Sequence, residues 1–340
     1  MPRASIRSTH RPSARGGGTT PNDTSPVVRV HELTKVYRTR RERVVAVDHV
    51  SFEVMEGEVV GLLGPNGAGK TTTIKSLCTL LRPTSGSIEV GGEDALRHPS
   101  RALKRIAAVL EGNRNIYWRL SPRENLEFFA GLQGLPTRQV RPQIETLLER
   151  FRLEDKADTA ARKLSRGMQQ KLAVACALIK NTDILLLDEP TLGLDVETSY
   201  ELRASLKSLA HNDGRTILLS SHDMNVVQDI CDRVIVIHKG KVVTDDNVTN
   251  LLEVFRARAY RFVLEGRLDD ASCHRLSERF DMLQLHHTDH RSEIEVEFLE
   301  NTELYELMDV LRESGAVIEG IDRKDPNLEE IFLSIVRGSH

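Results

Sequence analysis

Apolar residues alternate from Val27 to Val36 and again from Val44 to Val54, a period of two that predicts an antiparallel pair of strands joined by the polar turn at 38–43. A Glu-Gly-Glu turn at 56–58 ends the second strand. The next apolar run, VVGLL at 59–63, does not alternate and so reads as a strand buried on both faces. It delivers the chain into GPNGAGKTTTIKSL, where glycines give way to helical spacing. Ser121 with Glu124 forms a capping box and Pro122 takes the first helical position, predicting a helix from Ser121 to Leu135 that Gly134 and Pro136 stop. A second helix is expected from Arg141 to Arg150.

Farther on, MQQKLAVACALI (168–179) reads as a helix, DILLLDEP (183–190) as a buried strand, VETSYELRASLKSLAH (196–211) as a helix and RTILLSSH (215–222) as another buried strand. Strands alternating with helices imply a parallel sheet, into which the helical stretch at about 111–180 is inserted as a subdomain. RVIVIHKGKVVT (233–244) reads as a hairpin turning at Lys239-Gly240. From 257 to 340 the pattern becomes βαββαβ plus a closing helix, the order of a ferredoxin-like α+β domain. The expected fold class is α/β, with an α/β domain at 27–250, a small C-terminal domain at 257–340 and a disordered arm at 1–26.

Composition narrows the function. The 340 residues exceed one compact domain and carry a formal net charge of −3, so nucleic acid is not an expected partner. Cys78, Cys176, Cys231 and Cys273 are widely spaced, as reduced packing thiols are. No apolar run approaches the roughly 20 residues that span a bilayer. The arm, with four arginines and one acid among Gly, Ser, Thr and Pro, lacks the apolar core of a secretory signal; an organellar transit peptide shares its composition.

Three stretches carry chemistry. GPNGAGKT at 64–71 matches the phosphate-binding P-loop pattern between a strand and a helix. Its Gly64, Gly67 and Gly69 would let backbone N–H groups turn inward around the phosphates, with Pro65, Asn66, Ala68 and Lys70 completing the loop. Lys70 would neutralise their charge, and Thr71, followed by Thr72, would place a hydroxyl on Mg²⁺. Asp188 and Glu189 end a buried strand, where open α/β sheets place ligands, as a Mg²⁺ ligand and a general base. His222 ends the next strand and can reach a γ-phosphate.

In order, GPNGAGKT, LSRGM (164–168), ILLLDEP (184–190), TLGLD (191–195) and SSHD (220–223) resemble the ATP-binding-cassette (ABC) ATPases over about residues 27–250. The resemblance implies a P-loop NTPase cassette with a RecA-like core, an antiparallel β subdomain and a helical subdomain. It implies ATP as the cofactor and a homodimer, because in that family the signature loop, here Ser165 and Gly167, closes over ATP held by the other subunit. Tyr37 would stack on adenine, and Asp195 would face the opposite site. Arg166 and Met168 depart from the common Gly and Gln. Glu111 stands where the family has a glutamine that senses Mg²⁺ and the membrane partner, which makes it a further metal candidate. Tyr117 and Trp118 would line the groove for that partner, or else lie buried between helical subdomain and core.

SRGMQQKL, DEPTLGLD and DPNLEEIFLSIV look most like type-2 ABC exporter ATPases, the drug-resistance, polysaccharide and lipid exporters. The implied partner is a separate transmembrane permease, with the chain peripheral on the cytoplasmic face of the membrane. An importer ATPase with a regulatory C-terminal domain and a soluble, non-transport ABC ATPase are the alternatives.

Overall fold

The structure is a computed structural model that describes residues 26–38, 42–112, 115–256, 259–280, 283–288, 291–298, 302–323 and 328–338. The arm expected at 1–26 lies outside the described residues but for Pro26.

The antiparallel pair is β1 (Val28–Arg38) and β2 (Arg43–Val54). Next come β3 (Val59–Leu63), α1 (Lys70–Leu77), β4 (Ser85–Val90), β5 (Glu93–Asp94), α2 (Pro99–Ala102) and β6 (Ile106–Val109). The helical section holds α3 (Pro122–Leu132), α4 (Thr137–Arg150) and α5 (Arg166–Leu178). Then follow β7 (Ile184–Asp188), α6 (Val196–His211), β8 (Thr216–Ser221), α7 (Met224–Ile230), the hairpin β9 (Arg233–His238) and β10 (Lys241–Asn247), and α8 (Val248–Arg256). The C-terminal part is β11 (Ala259–Glu265), α9 (Asp270–Arg279), β12 (Leu283–His287), β13 (Arg291–Glu297), α10 (Glu303–Glu313), β14 (Val317–Arg323) and α11 (Leu328–Gly338).

These strands form three sheets, ordered β2-β1-β4-β5, β10-β9-β3-β8-β7-β6 and β12-β13-β11-β14. In the second sheet β9, β3, β8, β7 and β6 run parallel and β10 is antiparallel to β9. Every residue of β3, β7 and β8 is buried, the mark of a sheet covered on both faces. Alternate residues feed two cores. Val60, Leu62, Leu186 and Leu218 meet the antiparallel sheet and α1, while Val59, Leu63, Leu187 and Leu219 meet the helices. Each such fully buried aliphatic side chain contributes about 1.5–3 kcal/mol.

Helix α3 ends at Leu132, three residues short of its expected end, and three other helices also depart from the sequence expectation. Helix α4 begins at Thr137 instead of Arg141, because Val140, Ile144, Leu147 and Leu148 make one buried stripe that runs across the exposed Pro142. Helix α5 begins at Arg166, where the Ser165 hydroxyl accepts the Met168 amide. Helix α11, expected with the small C-terminal unit, instead lies against α7, α8 and β10: Leu328, Ile331 and Phe332 join the cassette core, and the Leu328 amide donates to Gln228 Oε1 at 3.2 Å. The third sheet has a separate core of Phe262, Leu276, Ile294 and Leu307 beneath α9 and α10. Among the described residues no helix is long and apolar enough to cross a membrane.

Candidate nucleotide site

The phosphate loop joins β3 to α1 and is braced from two sides. A Cβ on Gly64 would lie 2.3 Å from the Ile237 carbonyl oxygen, and one on Gly69 2.5 Å from that of Ala46, so neither position admits a side chain. Gly69, at φ 113°, opens α1 without any side-chain cap, which leaves the first amides of the helix free for an anion. The buried Lys70 donates from Nζ to the Gly64 carbonyl at 2.7 Å and the Pro65 carbonyl at 3.3 Å, and lies 3.7 Å from Glu189 Oε1.

The ends of β7 and β8 meet this loop. Asp188 is buried, and its Oδ1 accepts from Thr71 Oγ1 at 3.1 Å and Ser220 Oγ at 2.6 Å. Its Oδ2 is buried with no hydrogen-bond partner. An unsatisfied carboxylate oxygen beside a threonine hydroxyl is the hard oxygen donor set that suits Mg²⁺. Glu111 is exposed and lines the same cavity as Asp188 and Glu189. Among the described residues no three His, Cys, Asp or Glu side chains converge on one point.

Glu189 follows Asp188 at φ 50°, a left-handed conformation that costs a non-glycine residue of order 1–3 kcal/mol. Strain of this kind persists only where the surroundings impose it. The Glu189 amide donates to both Ser220 Oγ at 3.0 Å and the Ser220 carbonyl at 3.2 Å, and the carboxylate is turned inward, its side chain 8% exposed. Its Oε2 lies 2.8 Å from His222 Nδ1. A carboxylate only accepts, so Nδ1 carries a proton and the Nε2 of a neutral ring is left as an acceptor. Donation from Nε2 to a phosphate oxygen therefore needs the doubly protonated ring.

The signature segment has its own local logic. Ser165 and Arg166 are exposed at the start of α5. A Cβ on Gly167 would fall 2.2 Å from Thr198 Cγ2, so that glycine sets the close approach of α5 to α6. Thr198 in turn donates its amide and hydroxyl to Asp195, both at 2.8 Å, and these donors hold the Asp195 carboxyl below the usual carboxylate range. Arg166, which departs from the family glycine, lies over Gly193 and fills the space a side chain there would need. The contacts of Gly167 and Arg166 join residues far apart in sequence, and nothing in either motif signals them.

Tyr37 is exposed at the end of β1, with Lys35 Nζ over its ring 5.3 Å from the centroid. Tyr117 and Trp118 are half exposed, so burial against the core does not describe them; the Tyr117 ring packs on Phe128 with centroids 4.4 Å apart. Sequence reasoning missed Ser220, although it stands in the SSHD stretch, because its role comes from strand register.

A phosphate loop facing strand-end acids and a strand-end histidine defines a P-loop ATPase cassette. A family model described as ABC transporter matches residues 47–192. The ABC transporter ATP-binding protein NatA of Bacillus subtilis (strain 168) is 37% identical over 242 residues, covering 71% of this chain and 98% of that protein. The bacitracin transport ATP-binding protein BcrA of Bacillus licheniformis is 32% identical over 319 residues, covering 92% of this chain and 98% of its own length. Among solved structures, a dimeric ATP-binding cassette in a post-hydrolysis state with ADP and Pi superimposes with a TM-score of 0.60 at 28% identity, over 65% of this chain and 98% of that one. The chain belongs to the ABC transporter family, as an ATP-binding, ATP-hydrolysing subunit.

Proposed function

We propose that two copies of this chain form the motor of an ABC exporter, bound to a separate membrane-spanning permease at the cytoplasmic face of the membrane, with Mg²⁺-ATP as fuel. The observation that carries the hydrolytic half is the Glu189 carboxylate, held between Lys70 and His222 at the mouth of the phosphate loop. Lys70 exchanges the Gly64 and Pro65 carbonyls for phosphate oxygens. Asp188 and the Thr71 hydroxyl would hold Mg²⁺, which would supply positive charge to neutralise the phosphates. Glu189 takes the proton of the attacking water, and His222 keeps that carboxylate in line. Tyr37 stacks on the base.

The dimeric half of the reading draws support from the exposed Ser165 at the positive start of α5, and from the dimeric cassette to which this chain is similar. Export draws support from the bacitracin transport relative, whose match covers 92% of this chain and so extends past the cassette. We assign residues 27–250 to the cassette and 257–323 to a small regulatory unit, with α11 returning to the cassette. Tyr117 and Trp118, half exposed beside α3, are assigned to the groove that receives the permease.

Mixing two defective chains tests the shared site. Lys70→Ala loses ATP binding, whereas Ser165→Arg keeps ATP binding in the monomer and loses ATP-driven dimerisation. A mixed dimer has one site with both lesions and one with neither, so Mg²⁺-ATP should restore partial pairing and hydrolysis, read by light scattering and phosphate release. No gain on mixing would remove the shared-site reading. Direction is read separately: co-expressed with its permease in inside-out vesicles, an exporter accumulates its cargo on ATP addition and an importer does not.

A further inference from the structure

Ser220, the next-to-last residue of β8, is fully buried, and the parallel register with β7 sets it directly opposite Asp188. Its hydroxyl has one proton to give, and the geometry spends it on Asp188 Oδ1 at 2.6 Å. Ser220 Oγ in turn accepts the Glu189 amide at 3.0 Å. One atom therefore links the carboxylate assigned to the metal and the backbone that carries the assigned base.

Two consequences follow from that link. With Thr71 also donating to Oδ1, the carboxylate is fixed with Oδ2 left over, and that oxygen is the one without a hydrogen-bond partner. The second consequence lies in the backbone. Glu189 stays at φ 50° because its amide is caught twice, by the hydroxyl and by the carbonyl of Ser220. In that conformation its side chain meets Lys70 and His222.

We propose that Ser220 is a positioning residue for ATP hydrolysis: its hydroxyl aims Asp188 at the metal and locks the strained turn that presents Glu189. Its hydroxyl acts through Asp188 and the Glu189 amide. The proposal rests on the assignment of Asp188 and Glu189 made above. Ser221 provides the internal control. It is buried to the same depth at the same strand end, but its hydroxyl bonds only the backbone of Asp223, accepting the amide at 3.0 Å and donating to the carbonyl at 3.4 Å.

The experiment uses the full chain with Ser220→Ala, Ser220→Thr, Ser221→Ala and Asp188→Asn. Mn²⁺ binding to the ADP-loaded chain is read by electron paramagnetic resonance, alongside ATP affinity in chelator, turnover against Mg²⁺ and melting temperature. Removing a group that orients a metal ligand costs about 10–100-fold in metal affinity or activity. Ser220→Ala should show that loss in Mn²⁺ affinity and turnover, with metal-free ATP affinity within about twofold of the parent. Ser221→Ala should lose neither, and Ser220→Thr, which keeps the hydroxyl, should recover most of the metal affinity even where its extra methyl lowers the melting temperature. Wild-type Mn²⁺ affinity in Ser220→Ala, an equal loss in Ser221→Ala, or a Thr variant as deficient as Ala overturns the proposal. If Asp188→Asn itself leaves Mn²⁺ affinity intact, the metal assignment falls and takes the proposal with it. If Asp188→Asn loses Mn²⁺ and Ser220→Ala does not, only the role of Ser220 falls.

Discussion

The six-stranded sheet of the cassette and the four-stranded C-terminal sheet solve different problems. In the parallel sheet β3, β7 and β8 are buried along their whole length, with cores on both faces, and their carboxyl ends converge on one point. The polar groups there pair with one another: Thr71, Asp188, Glu189 and Ser220 form a connected set, which the exposed His222 joins through Glu189. The C-terminal sheet is covered on one face only. Phe262 and Ile294 point to α9 and α10, while on the other face Arg261 pairs with Glu293. Exposed pairs of that kind are screened by water and impose little on their neighbours. Burial on two faces, more than residue type, is what makes a strand end into a site.

The largest test of that contrast is chemical. Glu189→Gln keeps the shape of the side chain and the bond to Ser220 but cannot take a proton, so turnover should fall by about 10²–10⁴-fold while ATP affinity holds. Glu293→Gln in the open face of the C-terminal sheet should leave turnover within about twofold. Steady-state phosphate release and nucleotide titration decide both. Hydrolysis at the parental rate in Glu189→Gln would mean that the strand-end carboxylate is not the base.

How much of this was legible beforehand follows the same division. The uniform apolar runs of β3, β7 and β8 announce a doubly covered sheet, and α6 is framed by its Asp195 cap, so these elements fall where the pattern puts them. The βαββαβ order likewise appears in the C-terminal sheet, with β13 inserted between β12 and β11. Short pieces did not announce themselves. Strand β6 has four residues and α7 seven, too few for a period to emerge, and both are defined by the neighbours they pack on. Of the site, the phosphate loop, Asp188, Glu189 and His222 carry local motifs. Ser220, and the contacts of Gly167 with Thr198 and Arg166 with Gly193, arise from tertiary placement between residues about 30 apart, and no local pattern encodes such a distance.

A second test asks where α11 belongs. Ile331 is fully buried in the cassette core and Leu307 fully buried in the C-terminal core. Truncating either to Ala should cost about 2–5 kcal/mol. If the closing helix is part of the cassette, Ile331→Ala lowers the melting transition that ATP stabilises, and Leu307→Ala lowers one that ATP leaves alone. Differential scanning calorimetry with and without ATP separates them. Both variants shifting a single common transition would show that the two cores unfold as one.

The smallest expected effect is a rate of thiol labelling, and it probes burial without touching catalysis. Cys78, Cys176 and Cys231 are buried in the cassette, whereas Cys273 is half-buried in the C-terminal unit. Burial, with a contribution from the Asp188 charge, pushes the Cys78 thiol up to about 12. Burial also pushes Cys176 and Cys231 well above the ordinary thiol range. Cys273 is raised too, first by partial burial and then by Asp270 and Asp269. Because the thiolate is the reacting form, all four should be slow near neutral pH, and only Cys273 has the access to react at all. The native chain should therefore take up one equivalent of a chromogenic disulfide reagent, more slowly than a small free thiol and faster as the pH rises toward that of the thiolate. Cys273→Ser should take up none until denaturant exposes the remaining three. Rapid native labelling of Cys78 would carry the sharpest meaning, since that thiol ends α1 behind the phosphate loop: access there would mean that the doubly covered sheet opens on the timescale of the assay, and the difference in burial between the two regions would no longer account for where the chemistry sits.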